Sequence, residues 1–109
     1  MLLATRILRL QRRPNVEIPI RVFAPQQNGA DWSCRFEIGW PEGVVEREVI
    51  GIDAIQALEL ALRMIGTIVY SSDLHRSGEL VWQAPRQGYG FPVPNTIRDL
   101  LIGQDREFL

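Results

Sequence analysis

Lysine is absent from this chain, and cysteine and histidine occur once each, as Cys34 and His75. A single thiol excludes an internal disulfide and a multi-cysteine metal site. One histidine and one cysteine do not supply converging soft donors, and no loop has the carboxylate spacing of a calcium site. No metal and no cofactor are therefore expected. Charge of one sign is also lacking: the net charge is −1, which is neither a nucleic-acid footprint nor an acidic tail. Long apolar runs are missing. Arginines at 6, 9, 12 and 13 interrupt the first segment, so no signal peptide is expected there. Nothing approaches the ~20 apolar residues of a membrane span. These absences give the expectation of a cytoplasmic protein, bacterial by composition, with no membrane and no nucleic-acid partner.

The twelve basic residues are all arginine. GC-rich codon usage produces this, and so does selection for guanidinium forks at an interface. The scatter from Arg6 to Arg106 favours codon usage.

What is present is a chain of 109 residues, 46% hydrophobic and 23% charged, enough for one globular core without staples. One domain over 1–109 is expected. Its most legible segment runs from Gly51 to Ser72. At 100° per residue, Ala54, Ile55, Ala57, Leu58, Ala61, Leu62, Met64, Ile65, Ile68 and Val69 share one half of a helix. Asp53, Gln56, Glu59, Arg63, Thr67 and Tyr70 share the other, with Leu60 out of place. Asp53 with Gln56 reads as a capping box, and Ile52 with Ala57 as a hydrophobic staple. Gly66 lowers helix propensity by up to ~1 kcal/mol, which predicts a loose last turn.

The segments before this helix alternate. Val16, Ile18, Ile20 and Val22 point one way, and Pro19 predicts an edge strand or a bulge. Trp32, Cys34, Phe36 and Ile38 predict a strand over 31–38. Pro41 and Gly43 predict a turn, and residues 44–50 the partner strand. Residues 2–11 fit a strand or an amphipathic helix, and 25–29 read as a loop. Beyond the long helix come a polar turn at 73–79, a short strand at Leu80-Val81-Trp82 and a Gly/Pro-rich stretch over 84–94. A short C-terminal helix from Ile97 to Ile102 is predicted, capped by Asn95-Thr96 and ended by Gly103, with a frayed tail. Strands followed by a helix give an α+β fold: an antiparallel sheet of four to five strands with one long helix, about 53–70, on one face.

The sequence carries no catalytic constellation. Cys34 and His75 lie far apart, and Cys34 falls on an inward strand face, where a thiol behaves as a small hydrophobe. Ser71-Ser72-Asp73-Leu74-His75 places three triad residue types in one turn, a spacing that suits helix capping. Glu46 and Glu48 share an outer face with Arg35 and Glu37. Gly88-Tyr89-Gly90-Phe91-Pro92 matches neither a P-loop nor a dinucleotide fingerprint. It either covers the end of the core with Tyr89 and Phe91 or forms a binding loop supported by Trp82. Trp40, at the hairpin tip, either folds back on the sheet or stands out as an anchor for a partner.

Trp32-Ser-Cys-Arg-Phe-Glu-Ile-Gly39, Gly51-Ile-Asp-Ala-Ile-Gln-Ala-Leu-Glu-Leu-Ala-Leu62, Gly78-Glu-Leu-Val-Trp82 and Gly90-Phe-Pro92 together resemble a small bacterial α+β family of unknown function, over roughly 30–92. The resemblance brings no catalytic residues. By analogy it implies an immunity-protein-like role.

The leading expectation is a non-enzymatic protein-interaction module using the outer sheet face, Trp40 or the 84–94 loop. The alternative is a small-ligand-binding protein or an enzyme, with His75, Trp82, Arg86 and Tyr89 lining a pocket near 84–94. A homodimer joined at an edge strand is the third, with 2–11 as the joining strand.

Overall fold

Alternating apolar residues fold the first half of the chain into strands, and a 3.6-residue period folds the middle into a helix. The computed structural model describes all residues, Met1–Leu109. In order they form β1 (Leu2–Leu10), β2 (Glu17–Phe23), β3 (Gln26–Asn28), β4 (Asp31–Trp40), β5 (Gly43–Gly51), α1 (Ala54–Tyr70), α2 (Asp73–Arg76), β6 (Leu80–Val81), a 3₁₀ segment (Asn95–Leu100) and α3 (Gly103–Phe108). The fold is α+β with a six-stranded sheet in the order β3-β4-β2-β1-β6, and β5 pairs with β4. Residues 2–10 are strand, not helix. The sixth strand is β3, within the segment expected to be a loop. No helix is long and apolar enough to cross a membrane. The chain groups into two compact units, Met1–Ile7 with Ile18–Leu62, and Leu8–Glu17 with Arg63–Leu109.

The first unit is built on the β4–β5 hairpin. Its register is unbroken from Trp32↔Gly51 to Trp40↔Gly43, leaving Pro41 and Glu42 as the turn. Cys34, Phe36 and Ile38 are fully buried, as are Ile18 and Ile20 of β2. β2 is not an edge strand, because it lies between β4 and β1 in the sheet order. Pro19 is accommodated because its ring lies against Gly39, where a Cβ would sit 3.1 Å from the ring carbons. The bulge lies further on. Val22 pairs with Phe36 but Gln26 with Ser33, four steps against three, so one extra residue is absorbed over 23–25. The Cys34 thiol donates to the Phe23 carbonyl there, at 3.3 Å.

Helix α1 starts as its sequence dictates. Asp53 Oδ1 accepts from Gln56 N–H at 2.8 Å. Gln56 Oε1 accepts from Ile52 N–H at 2.7 Å, one residue before the position a capping box uses. The staple does not form, since Ile52 is 77% exposed. The fully buried stripe is Ala57, Ala61, Ile65 and Val69, narrower than the expected half-cylinder. Ile55 is 76% exposed and Met64 also faces out. Tyr70, expected on the wet face, is buried.

In the second unit, Arg9↔Val81 and Leu10↔Leu80 join β1 to β6, and Gln11 N–H extends the ladder to the Glu79 carbonyl at 2.8 Å. Gly66 is no weak point. A Cβ there would collide with the Pro92 carbonyl, so glycine lets the 88–93 strap lie directly on the helix. The predicted C-terminal helix is displaced. Asn95–Leu100 is 3₁₀ and kinked at Ile97, with no side-chain cap. The α-helix is Gly103–Phe108, so Gly103 opens it instead of ending the preceding one. The tail expected to fray carries the buried Asp105.

Candidate functional site

The densest chemistry lies in the second unit, where four side chains from separate elements meet. Tyr70 ends α1. Ser72 ends the turn after it: its hydroxyl donates to the Val69 carbonyl at 2.7 Å and accepts from His75 N–H at 3.2 Å, which holds α2 and its imidazole in place. Tyr89 comes from the glycine-rich strap and Asp105 from α3. The three rings pack edge to face, with centroids 4.8 Å apart for Tyr70–His75, 5.2 Å for Tyr70–Tyr89 and 5.4 Å for His75–Tyr89.

Asp105 organises this cluster. Oδ2 accepts from the Tyr70 hydroxyl at 2.5 Å and from Tyr89 N–H at 2.8 Å, and Oδ1 accepts from Gly90 N–H at 2.9 Å. Gly88 has φ +87°, and any Cβ there would run into the Asp105 carboxylate. Two consecutive amides turned toward one anion form a backbone nest, here filled by an internal carboxylate. His75 Nδ1 lies 2.5 Å from the Tyr89 hydroxyl, whose oxygen is also 3.4 Å from the Leu80 carbonyl.

Burial pushes the Tyr70 hydroxyl far above its ordinary 10.0, with the hydrogen bond to Asp105 adding to the shift. Burial and the charge of Asp105 do the same for Tyr89. Burial, then the nearby Arg76 charge, pushes His75 below its ordinary 6.5. All three groups are held neutral near pH 7. Both phenols keep their protons, and the imidazole nitrogen facing inward is already engaged. No buried side-chain nitrogen or oxygen lacks a partner. The cluster fastens the strap and α3 to the end of α1, and its hydrogen-bonding capacity is spent internally.

The first unit presents a different surface. On the outer face of the hairpin, the Arg35 guanidinium lies 3.8 Å from the centre of the Phe23 ring. Arg35 Nη1 pairs with Glu37 at 3.2 Å and Glu46 at 3.3 Å, and Glu48 stands opposite Arg35 in register. Along and beyond β5, Val44 is 67% and Ile50 50% exposed, continuing into the exposed Ile52 and Ile55.

The residues singled out from sequence separate accordingly. His75 and Tyr89 come together, but Tyr89 is 2% exposed and Phe91 is buried with it. Trp82 is half-buried just after β6. Trp40 is 9% exposed and presents no free ring at the hairpin tip. Arg86 is exposed, has φ +60°, and borders a groove of about 330 Å³ lined by Gln11, Arg12, Ser77, Gly78, Glu79, Pro85 and Arg86. His75, Trp82 and Tyr89 do not line it. Arg12 Nε pairs with Glu79 in the same groove at 3.1 Å. No group of three or more His, Cys, Asp or Glu side chains is placed to hold a metal ion.

Sequence reasoning missed Tyr70 and Asp105. A helix wheel with one buried side places Tyr70 on the wet face, and the chain end around Asp105 reads as a frayed tail. The available signal was Gly88-Tyr89-Gly90, whose two flanking glycines free consecutive amides to face an anion.

The chain belongs to the DUF6968 family, a domain of unknown function, whose family model matches residues 4–93. The match takes in β1 and β2 as well as the segment over which the resemblance was read. Comparison with curated proteins gives no match. Comparison with solved structures gives none either.

Proposed function

We propose that this protein is a non-enzymatic interaction module of the bacterial cytoplasm that presents the β5 edge of its first unit to an extended segment of a partner protein. The observation that carries this reading is the exposed Val44 and Ile50 on a strand bonded only to β4, continued past its end by the exposed Ile52 and Ile55. Such an edge offers a row of backbone donors and acceptors to an incoming strand, and apolar side chains at its ends supply binding area. Glu46 and Glu48 project from the same face as Val44 and Ile50, so a partner strand with basic residues opposite them is complementary. An immunity-protein-like role, with an acidic edge meeting a basic partner, falls within this class. The one cysteine, Cys34, is buried and unpaired, in keeping with a reducing compartment.

The test is affinity capture from the native host with the wild type and with an Ile50→Lys/Ile52→Lys double variant. The reading expects proteins recovered with the wild type to be lost with the variant. Equal recovery by both would remove the β5 edge from consideration.

A second reading has its own observation. Arg86 holds a left-handed backbone conformation, which costs about 1–3 kcal/mol for a non-glycine residue, at the rim of the groove that also contains Arg12. The Arg86 guanidinium there, beside the Arg12–Glu79 pair, suits a small anionic ligand. Native mass spectrometry of the purified protein tests it. Retained extra mass that disappears in Arg86→Gly supports a ligand, since glycine relieves the strain while deleting the charge.

A further inference from the structure

We propose that a second copy of this chain adds to the free side of β1, across a two-fold axis at Thr5. The inference rests on a different strand from the β5 reading and stands without it. β6 covers β1 only at Arg9 and Leu10, so that side of the strand is open over 2–8. Gln11 N–H points to the β6 side, where it bonds Glu79. Alternation along the strand presents the backbone groups of every second residue at that open side. Open edges are ordinarily blunted by charge, proline or a covering loop. Met1–Leu8 contains no proline and one charged residue, Arg6. Met1, Leu2, Leu3 and Ile7 are all exposed.

Charge selects both the occupant and the register. A two-fold axis perpendicular to the sheet sets residues of the same face opposite one another. Centred on Thr5, it opposes Thr5 to its own symmetry mate, Leu3 to Ile7 and Ala4 to Arg6, which are compatible cross-strand pairs. Centred on Arg6, it sets two guanidinium groups face to face. Centred on Ala4, it sets Leu2 against Arg6 and Leu3 against Thr5. The charged centre of β5 does not match itself: centring on Arg47 opposes Arg47 to itself and Glu46 to Glu48, and centring on either glutamate opposes two carboxylates. The β1 edge thus matches itself about its centre, and the centre of the β5 edge does not.

Light scattering on the wild-type chain over a concentration series is expected to give twice the 12.5 kDa chain mass, falling toward the single mass on dilution. Thr5→Arg, an exposed change, is expected to give the single mass with an unchanged far-UV circular dichroism spectrum and the melting temperature of the dilute wild type. Thr5→Cys is expected to cross-link to a covalent dimer on mild oxidation, with no interference from the buried Cys34, whereas Val44→Cys on β5 is not. A wild type of single mass at every concentration overturns the proposal. So does a dimer that survives Thr5→Arg and leaves Thr5→Cys uncross-linked. The Ile50→Lys/Ile52→Lys variant keeps the dimer mass, which separates failure of this inference from failure of the β5 reading.

Discussion

Of the large apolar side chains left exposed, nine belong to the first unit: Met1, Leu2, Leu3, Ile7, Val44, Ile50, Ile52, Ile55 and Leu60. Three belong to the second, Met64, Leu100 and Phe108, although the two units are of similar length. The polar groups divide the other way. The second unit buries a carboxylate under three hydrogen bonds, while the carboxylates of the first sit in an open ladder around Arg35. A buried, fully satisfied network rigidifies its surroundings and is intolerant of change. An exposed apolar surface contributes little to folding and remains available for association. Stability should therefore be sensitive to substitution in the second unit, and association in the first.

The largest expected effect follows from deleting the group that ties the second unit together. Asp105→Ala leaves the Tyr70 hydroxyl and the amides of Tyr89 and Gly90 without their acceptor, and opens a hole over Gly88. Stranding several buried donors at once is expected to cost about 3–5 kcal/mol. A fall of that size in urea-unfolding stability is the result to look for. A loss below about 1 kcal/mol would mean that the second unit is as tolerant as the first.

Next in size is Gly66→Ala, where two effects oppose. Helix propensity favours alanine by about 1 kcal/mol. The added methyl group meets the Pro92 carbonyl and must push the strap off the helix, at an expected cost of about 1–3 kcal/mol. A net loss of stability is expected, and its sign is the informative part. A stabilised variant would show that the strap yields freely.

The same two glycine-dependent contacts mark where sequence reasoning runs out. The β4–β5 hairpin, the start of α1 at Asp53 and the burial of Cys34, Phe36 and Ile38 are legible because they depend on neighbours in the chain: alternation, turn chemistry and capping. The C-terminal third is not, because its order comes from residues far apart in sequence. Tyr70 and Asp105 lie 35 positions apart, and no local period links them. Gly66 reads as a helix weakness until the Pro92 carbonyl is seen against it. Asn95, Thr96 and Gly103 carry the right residue types for a helix over 97–102, yet Gly103 fits tightly against the backbone of Arg86 and Gln87, and the helix begins there. Exposure of Ile52 and Ile55 was illegible for the complementary reason: their apolar character fits a core-facing pattern, and nothing local says that the pattern is left uncovered.

A smaller effect appears on changing pH, and it has a definite sign. His75 is held below its ordinary 6.5 by burial and by Arg76. As pH falls through that value the unfolded chain takes up a proton that the folded chain resists, so stability drops on the acid side. Tyr70 and Tyr89 are held above 10.0, so stability is also lost as pH rises past that value and the unfolded phenols ionise. His75→Gln should flatten the acid limb of a plot of urea midpoint against pH and leave the alkaline limb in place. An acid limb unchanged in that variant would assign the loss to carboxylates elsewhere in the chain.

The smallest expected effect is the sharpest test of the first unit. Ile55 sits on α1 two residues past the Asp53 cap, and a helix wheel assigns it to the core face. At 76% exposure it buries little, so the hydrophobic contribution at stake is a fraction of the roughly 1.5–3 kcal/mol that full burial of an isoleucine carries. Glutamine has better helix propensity than isoleucine, which offsets part of the remainder. Ile55→Gln is therefore expected to shift unfolding stability by less than about 0.5 kcal/mol. Paired with capture experiments, the same substitution should weaken recovery of any partner that uses the β5 side. A stability loss above about 1 kcal/mol would mean that Ile55 is covered within the folded chain in solution, and the contrast between an unfinished first unit and a closed second unit would no longer hold.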